Sequence, residues 1–308
     1  MKFEYQSWIL LIVLSLVWGS SFILMERSMS PFGTEQVLGP LQVGSLRICF
    51  AGTVLLPFAL KHLSKLNRQN FGWLVLCGLT GNFFPAMLFT VAETGIESSL
   101  AGLLNMSTSI FVVLIGLIIY KQIPSKLQLV GIMLGAFGLI KIFWNQIHFE
   151  ANNFNYALLI FIATLCYAIS VTTIKYRLNH LKPLVITALS FFLILFPALI
   201  VALSTNAFST VVNHPDGKIA VLYLLALGVI GTALAVFLFN KLVSMATPLF
   251  SSGVTYLIPI VAVLIGVWDG EKFNPENIIW IALILIGVYL LNKKQKPPFV
   301  VAKVGTKA

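Results

Sequence analysis

Residues 71–121, FGWLVLCGLTGNFFPAMLFTVAETGIESSLAGLLNMSTSIFVVLIGLIIYK, and residues 221–271, VLYLLALGVIGTALAVFLFNKLVSMATPLFSSGVTYLIPIVAVLIGVWDGE, are two readings of one pattern. Set against each other without a gap they share ten identities in 51 positions, and seven of those are apolar pairs that such a composition produces readily. The informative matches are the glycines: Gly78 with Gly228, Gly81 with Gly231, Gly116 with Gly266. One residue out of step, Ser15, Trp18 and Ser21 meet Thr164, Tyr167 and Ser170, at the spacing of one helix face.

Both stretches are uniformly apolar over lengths near the ~20 residues that a helix needs to cross a bilayer. The rest of the chain has the same character. Of 308 residues, 58% are hydrophobic and 10% charged, well below the ~25% charged residues that a soluble chain uses to solvate its surface. An integral membrane protein follows, and helices rather than a barrel, because the runs do not alternate and a helix satisfies its own backbone in lipid. Trp8 to Met25 has no small-residue cleavage pattern after it and reads as a retained first span.

Marking apolar runs against polar breaks predicts ten spans, near 8–27, 40–60, 71–92, 98–119, 127–145, 155–176, 183–204, 219–240, 248–268 and 277–292. With a cytoplasmic N-terminus, fifteen of the twenty Lys and Arg fall on the inside, among them Lys65, Lys121, Lys175 and the tail lysines, against four outside: Arg27, Lys141, Lys218 and Lys272. That imbalance predicts a multi-pass protein of the cell (inner) membrane with both termini cytoplasmic. The expected units are a first five-helix repeat over 1–147, a second over 148–292 and a basic cytoplasmic tail over 293–308. Five spans per unit make the second copy enter from the opposite side, so the fold class is all-α, ten transmembrane helices as two inverted five-helix repeats. Charges agree: Lys121 and Lys126 follow the fourth run, whereas Asp269, Glu271 and Glu276 follow the ninth.

The net charge of +10 does not point to a nucleic-acid partner, because the basic residues are scattered between apolar runs. Cys49, Cys77 and Cys166 lie inside apolar runs without metal-ligand spacing, so neither a disulfide framework nor a metal site is expected. No HExxH, GxSxG or GxxxxGK[ST] occurs, so the expectation is a non-enzyme with no cofactor and no ATP site.

The stretch Thr255-Tyr-Leu-Ile-Pro-Ile-Val-Ala-Val-Leu-Ile-Gly-Val-Trp-Asp-Gly-Glu271 resembles the second-repeat signature of EamA-like transporters of the drug/metabolite transporter superfamily. Val17-Trp-Gly-Ser-Ser-Phe22, Leu46-Arg47 with Ala51, and Ala101-Gly-Leu-Leu-Asn105 are similar to further stretches of that family. The resemblance covers essentially the whole chain and implies a ten-helix transporter with cytoplasmic termini and a cavity between its halves. The first copy departs from the pattern, with Ser109 in place of the proline and Lys121 in place of the glutamate.

Candidate residues follow from the cost of polar groups in lipid. Arg47, about 10 Å below the outer surface at 1.5 Å per residue from Pro40, reads as an outer gate or an anion-binding group, or as a snorkelling structural arginine. Glu26 and Glu93 are the carboxylates placed to meet it in the outer half. Asn82 and Glu93 stand three helical turns apart, on one face. Asn105 lies in a stripe with Ser98, Gly102 and Ser109, echoed by Ser251, Ser252, Thr255 and Pro259; close helix packing and a cavity wall both account for such stripes. Trp18 and Tyr167, at matching positions, form an aromatic pair that either packs or faces a solute, and Tyr256 is a further candidate. Gly131 and Gly135, followed by Gly138, form a GxxxG surface, read as an intramolecular contact or a homodimer seam.

The function expected is secondary transport or export of small metabolites such as amino acids, amines or drug-like solutes by alternating access, with membrane lipid as the other partner. A passive channel and a non-transporting membrane subunit are the rivals.

Overall fold

A computed structural model describes residues 2–33, 35–123, 125–146, 151–268, 270 and 275–292. The expected boundary near 147, the tail 293–308, and Asp269 and Glu271 lie outside these residues. Regular structure among the described residues is helical throughout. The principal helices are α1 (Lys2–Met29), α2 (Pro40–Lys61), α3 (Arg68–Ala92), α4 (Ser98–Leu104 and Ser107–Ile118), α5 (Lys126–Gln146), α6 (Ala151–Arg177), α7 (Pro183–Ser204), α8 (Gly217–Met245), α9 (Pro248–Trp268) and α10 (Asn277–Asn292). Eight spans, carried by α1 to α4 and α6 to α9, are long and apolar enough to cross a membrane; Lys126–Gly138 in α5 and Ile278–Gly287 in α10 are apolar over a shorter length. Leu16, Phe58, Phe196, Leu222 and Leu264 are exposed, as lipid-facing side chains are in a multi-pass membrane protein.

Helix starts follow local chemistry. Pro40, Pro183 and Pro248 occupy first-turn positions, where a missing N–H costs nothing. Thr247 caps α9 by accepting from the Phe250 amide at 3.1 Å, and Gln42 Oε1 accepts from the Gly39 amide at 2.8 Å.

The packing of α1 to α5 is repeated by α6 to α10. Helix α1 lies on α9 and α8; correspondingly α6 lies on α4 and α3. Helix α2 packs on its own counterpart α7, and α5 on its counterpart α10. Exchanging the halves maps the α1 contacts onto those of α6 and the α2–α7 and α5–α10 contacts onto themselves, which is a pseudo-two-fold arrangement. Counterparts run antiparallel: Gln42, at the start of α2, donates to the Thr205 carbonyl just past the end of α7 at 2.7 Å, while Gly52 faces Leu195. At the other end Gly131 and Gly135 of α5 face Gly287 of α10, and Gly138 faces Trp280 and Ile284. The GxxxG surface is therefore a contact within the chain.

The repeated glycines explain how the halves approach. Gly78 lies against Ser190 and Ile194 of α7, and Gly228 against Arg47 and Phe50 of α2. Gly81 touches Ser170, and Gly231 touches Ser21, again as mirrored pairs. Gly116 has open space beside it, so the third glycine match carries no comparable contact.

Four helices are interrupted at matching heights. Helix α3 contains a π-helical segment, Leu79–Phe83, and α8 contains one over Ala226–Leu234. Helices α4 and α9 tighten: Met106 bonds to the Leu103 carbonyl at 3.1 Å, Thr108 to Asn105 at 3.1 Å, and Tyr256 to Gly253 at 3.2 Å, three-residue steps in place of four. Ser109 Oγ, at the break of α4, donates to Ser252 Oγ at the break of α9, 2.8 Å away. Irregular backbone inside a membrane is tolerated where protein buries it or where it lines a cavity.

Candidate functional site

The interruptions surround a cavity of about 110 Å3 at the seam of the halves. One water requires ~10–15 Å3 of such space, so the cavity holds several waters or a small solute. Every interrupted helix contributes to its wall: Gly81 and Asn82 from α3, Asn105 and Thr108 from α4, Gly231 and Thr232 from α8, Ser252 and Thr255 from α9.

Aromatic walls close opposite sides in mirrored fashion. Trp18 of α1 packs on Phe239 of α8 with ring centroids 5.2 Å apart, and Tyr167 of α6 packs on Phe89 of α3 at 5.9 Å. Trp18 Nε1 donates to the Gly231 carbonyl at 3.0 Å, a group within the π-helical segment. The next residue, Thr232, accepts at its Oγ1 from Arg47 Nε at 3.3 Å and from Nη2 at 3.2 Å, while Nη1 points to Met25 Sδ at 3.2 Å. Thr232 Oγ1 in turn donates to the Leu227 carbonyl at 2.8 Å. The π-helical turn of α8 thus fixes both the indole and the guanidinium. Tyr167 and Glu93 lie within electrostatic reach of Arg47.

A second polar pair in the wall is Thr187 and Asn240. Asn240 Nδ2 donates to Thr187 Oγ1 at 2.8 Å, whereas Asn240 Oδ1 is buried and has no hydrogen-bond partner among the described residues. An acceptor left so costs about 1–3 kcal/mol unless water or a solute donates to it. Asn240 is eight residues past Thr232, so the two stations are about 12 Å apart along α8.

Of the residues singled out in the sequence, Trp18, Arg47, Asn82, Asn105, Tyr167 and Thr255 line the cavity together. Glu26, Glu93 and Tyr256 stand outside its lining. Glu26 accepts from Ser98 Oγ at 3.2 Å, joining the last turn of α1 to the start of α4. Glu93 is the C-cap residue of α3, beyond the regular stretch Phe84–Ala92. Tyr256 is buried in the core. In the serine stripe of α4, Gly102 packs against Ala262 and Ser109 bonds to Ser252, so these two serve packing while Asn105 faces the cavity.

Sequence reasoning missed Met25, Thr187, Thr232 and Asn240. Thr232 was findable, since it stands opposite Asn82 in the glycine alignment. Asn240 was taken as the end of its span, although α8 runs on to Met245.

One feature lies outside the cavity at its cytoplasmic end as oriented from the sequence. Lys175 Nζ donates to the Val243 and Ala246 carbonyls at 3.2 and 2.6 Å, tying α6 to the last turn of α8 and the link that follows it. Its counterpart in the first half, 149 residues earlier, is Glu26.

Comparison with known proteins gives a consistent answer. The model of the EamA-like transporter family matches residues 6–144 and again 155–293, so the repeat and the cavity at its seam belong to a recognised pattern. An uncharacterized transporter of Synechocystis sp. (strain ATCC 27184 / PCC 6803 / Kazusa) is 24% identical over 304 residues, covering 91% of this chain and 88% of that protein. An uncharacterized transporter of Clostridium kluyveri is 23% identical over 283 residues, covering 87% of this chain and 89% of its own length. A solved crystal structure, 17% identical, superposes with a TM-score of 0.65 over 93% of this chain and 97% of its own, a likeness of fold. With its two family matches spanning nearly all of its length, the chain belongs to the EamA-like transporter family, whose members are membrane transporters.

Proposed function

We propose that this protein is a secondary carrier of small metabolites, built from ten transmembrane helices in two inverted repeats, that works by alternating access in the cell membrane with both termini cytoplasmic. The observation that carries the reading is the antiparallel packing of counterpart helices around one central cavity. Two near-equivalent halves related this way have inward-open and outward-open forms of similar free energy, because each form presents the contacts of the other with the halves exchanged. The interruptions in α4 and α9 supply hinge positions, and those in α3 and α8 let the wall adjust without breaking a full helix.

In this reading a solute sits between the Trp18–Phe239 and Phe89–Tyr167 walls while one end of the seam is closed. Glu26, Arg47 and Glu93 form the outer gate; the bonds of Lys175 to the α8–α9 link form its inner counterpart. A channel would need a polar route open to both sides, whereas the wall here mixes its polar groups with the rings of Trp18, Phe22, Phe89, Tyr167 and Phe239.

The test is solute counterflow into liposomes containing the purified protein, with amino acids, amines, nucleosides and aromatic solutes. A carrier accelerates labelled uptake when unlabelled solute is trapped inside. Flux without that acceleration makes the protein a channel, and no flux with any solute class makes it a non-transporting subunit.

A further inference from the structure

We infer that the solute bound in the cavity is a small organic anion, a carboxylate attached to an apolar or aromatic body, with Arg47 as its anchoring group. The assignment deepens the carrier reading above and rests on it for movement of the solute, though not for its binding.

Arg47 is the single charged side chain in the cavity wall among the described residues, and no carboxylate lines the wall with it. Its hydrogen bonds go to uncharged atoms: Nε and Nη2 to Thr232 Oγ1, Nη1 to Met25 Sδ. A guanidinium carries five N–H groups in a planar fork, so these bonds leave one N–H on each terminal nitrogen. Such a pair matches the two oxygens of a carboxylate, and the thioether is a weak acceptor that an anion displaces readily. Glu93 lies within electrostatic reach of Arg47 from outside the wall, and inside the wall the guanidinium is the single charge among the described residues, so a solute carboxylate is attracted there and a solute ammonium repelled.

The wall also specifies the rest of the solute. Gly231 anchors the Trp18 indole and Thr232, the next residue, anchors Arg47. Ring platform and charged fork are therefore neighbours, at the distance of a short arm, which suits a carboxylate one or two carbons from a ring or a branched aliphatic group. Rings presented face-on to Trp18 and Tyr167 gain stacking as well as burial.

The experiment measures thermal stabilisation of the detergent-solubilised protein by matched solutes that differ only in charge. The probes are mandelate, mandelamide and 2-amino-1-phenylethanol, and an acyclic set of 2-hydroxyisocaproate with its amide and the corresponding amino alcohol. The expected result is stabilisation by a carboxylate, binding roughly tenfold to a hundredfold weaker for its amide, and none for the amine. Arg47→Gln removes the preference; Arg47→Lys, which keeps the charge without the fork, retains part of it. Because Arg47→Gln can also unfold the chain, Thr232→Val, which frees the fork from its support, serves as the second variant and weakens carboxylate binding several-fold. Stabilisation by the amines or amides as strong as by the acids, stabilisation by none of the six, or an unchanged preference in a folded Arg47→Gln protein overturns the assignment. Counterflow separates the two levels. A carboxylate that binds but shows no counterflow ends the carrier reading and leaves the anion site, while counterflow of the amines alone does the reverse.

Discussion

Replacing the paired glycines tests the two-fold construction quantitatively. A Cβ added to Gly78 stands 2.7 Å from Ile194 Cγ2 and 2.9 Å from the Ser190 carbonyl oxygen. One added to Gly228 stands 2.8 Å from Phe50 Cβ and 3.1 Å from the Arg47 carbonyl oxygen. Backbone oxygens cannot rotate out of the way, so in each case the helix pair must move apart. Overpacking of this kind costs about 1–3 kcal/mol. Gly116→Ala is the internal control, since nothing lies within 4 Å of its added Cβ and alanine favours a helix over glycine by up to about 1 kcal/mol. Unfolding in detergent, followed by a thiol-reactive dye that reports exposure of Cys49, Cys77 and Cys166, gives the order of stabilities. Gly78→Ala and Gly228→Ala are expected to fall together, at roughly 2–4 °C for each kcal/mol lost, with Gly116→Ala at or above the parent. Equal damage from Gly116→Ala, or one paired variant neutral while the other unfolds, refutes the reasoning that the pairs are equivalent close approaches.

Two further outcomes follow from the cavity and its inner latch. Trp18→Phe keeps the ring contact with Phe239 but leaves the Gly231 carbonyl without its 3.0 Å donor, a loss of about 1 kcal/mol in the same unfolding assay. Lys175→Met removes the bonds to Val243 and Ala246 and is expected to raise labelling, from the cytoplasmic side, of a cysteine placed at position 240; unchanged labelling would show that the latch does not close the seam.

Much of the architecture was legible because lipid makes the signal coarse and strong. The spans read at 183–204, 248–268 and 277–292 coincide with α7, α9 and α10, whose ends are marked by proline, by a threonine cap or by polar residues. The glycine pairs at 78 and 228, and at 81 and 231, proved to be close mirrored contacts between halves. The interruptions were not legible. The π-helical segments occur in largely apolar stretches where only those glycines mark the place, and the tightened turns fall in serine and threonine stripes that packing alone would also explain. Asn240 was lost to a simpler cause, since an asparagine followed by Lys241 ends a span by composition, while in the fold it turns inward to Thr187.

Alternating access itself is tested most directly by reciprocal labelling. With Cys49, Cys77 and Cys166 replaced, single cysteines at Met25, in the part of the cavity wall assigned here to the outside, and at Asn240, in the part assigned to the inside, are exposed to membrane-impermeant thiol reagents from each side in vesicles, with and without transported solute. The account predicts opposite responses, so that a solute or variant that raises labelling at one site lowers it at the other. Full labelling of both sites at once, each from its own side, would contradict it and describe an open pore instead.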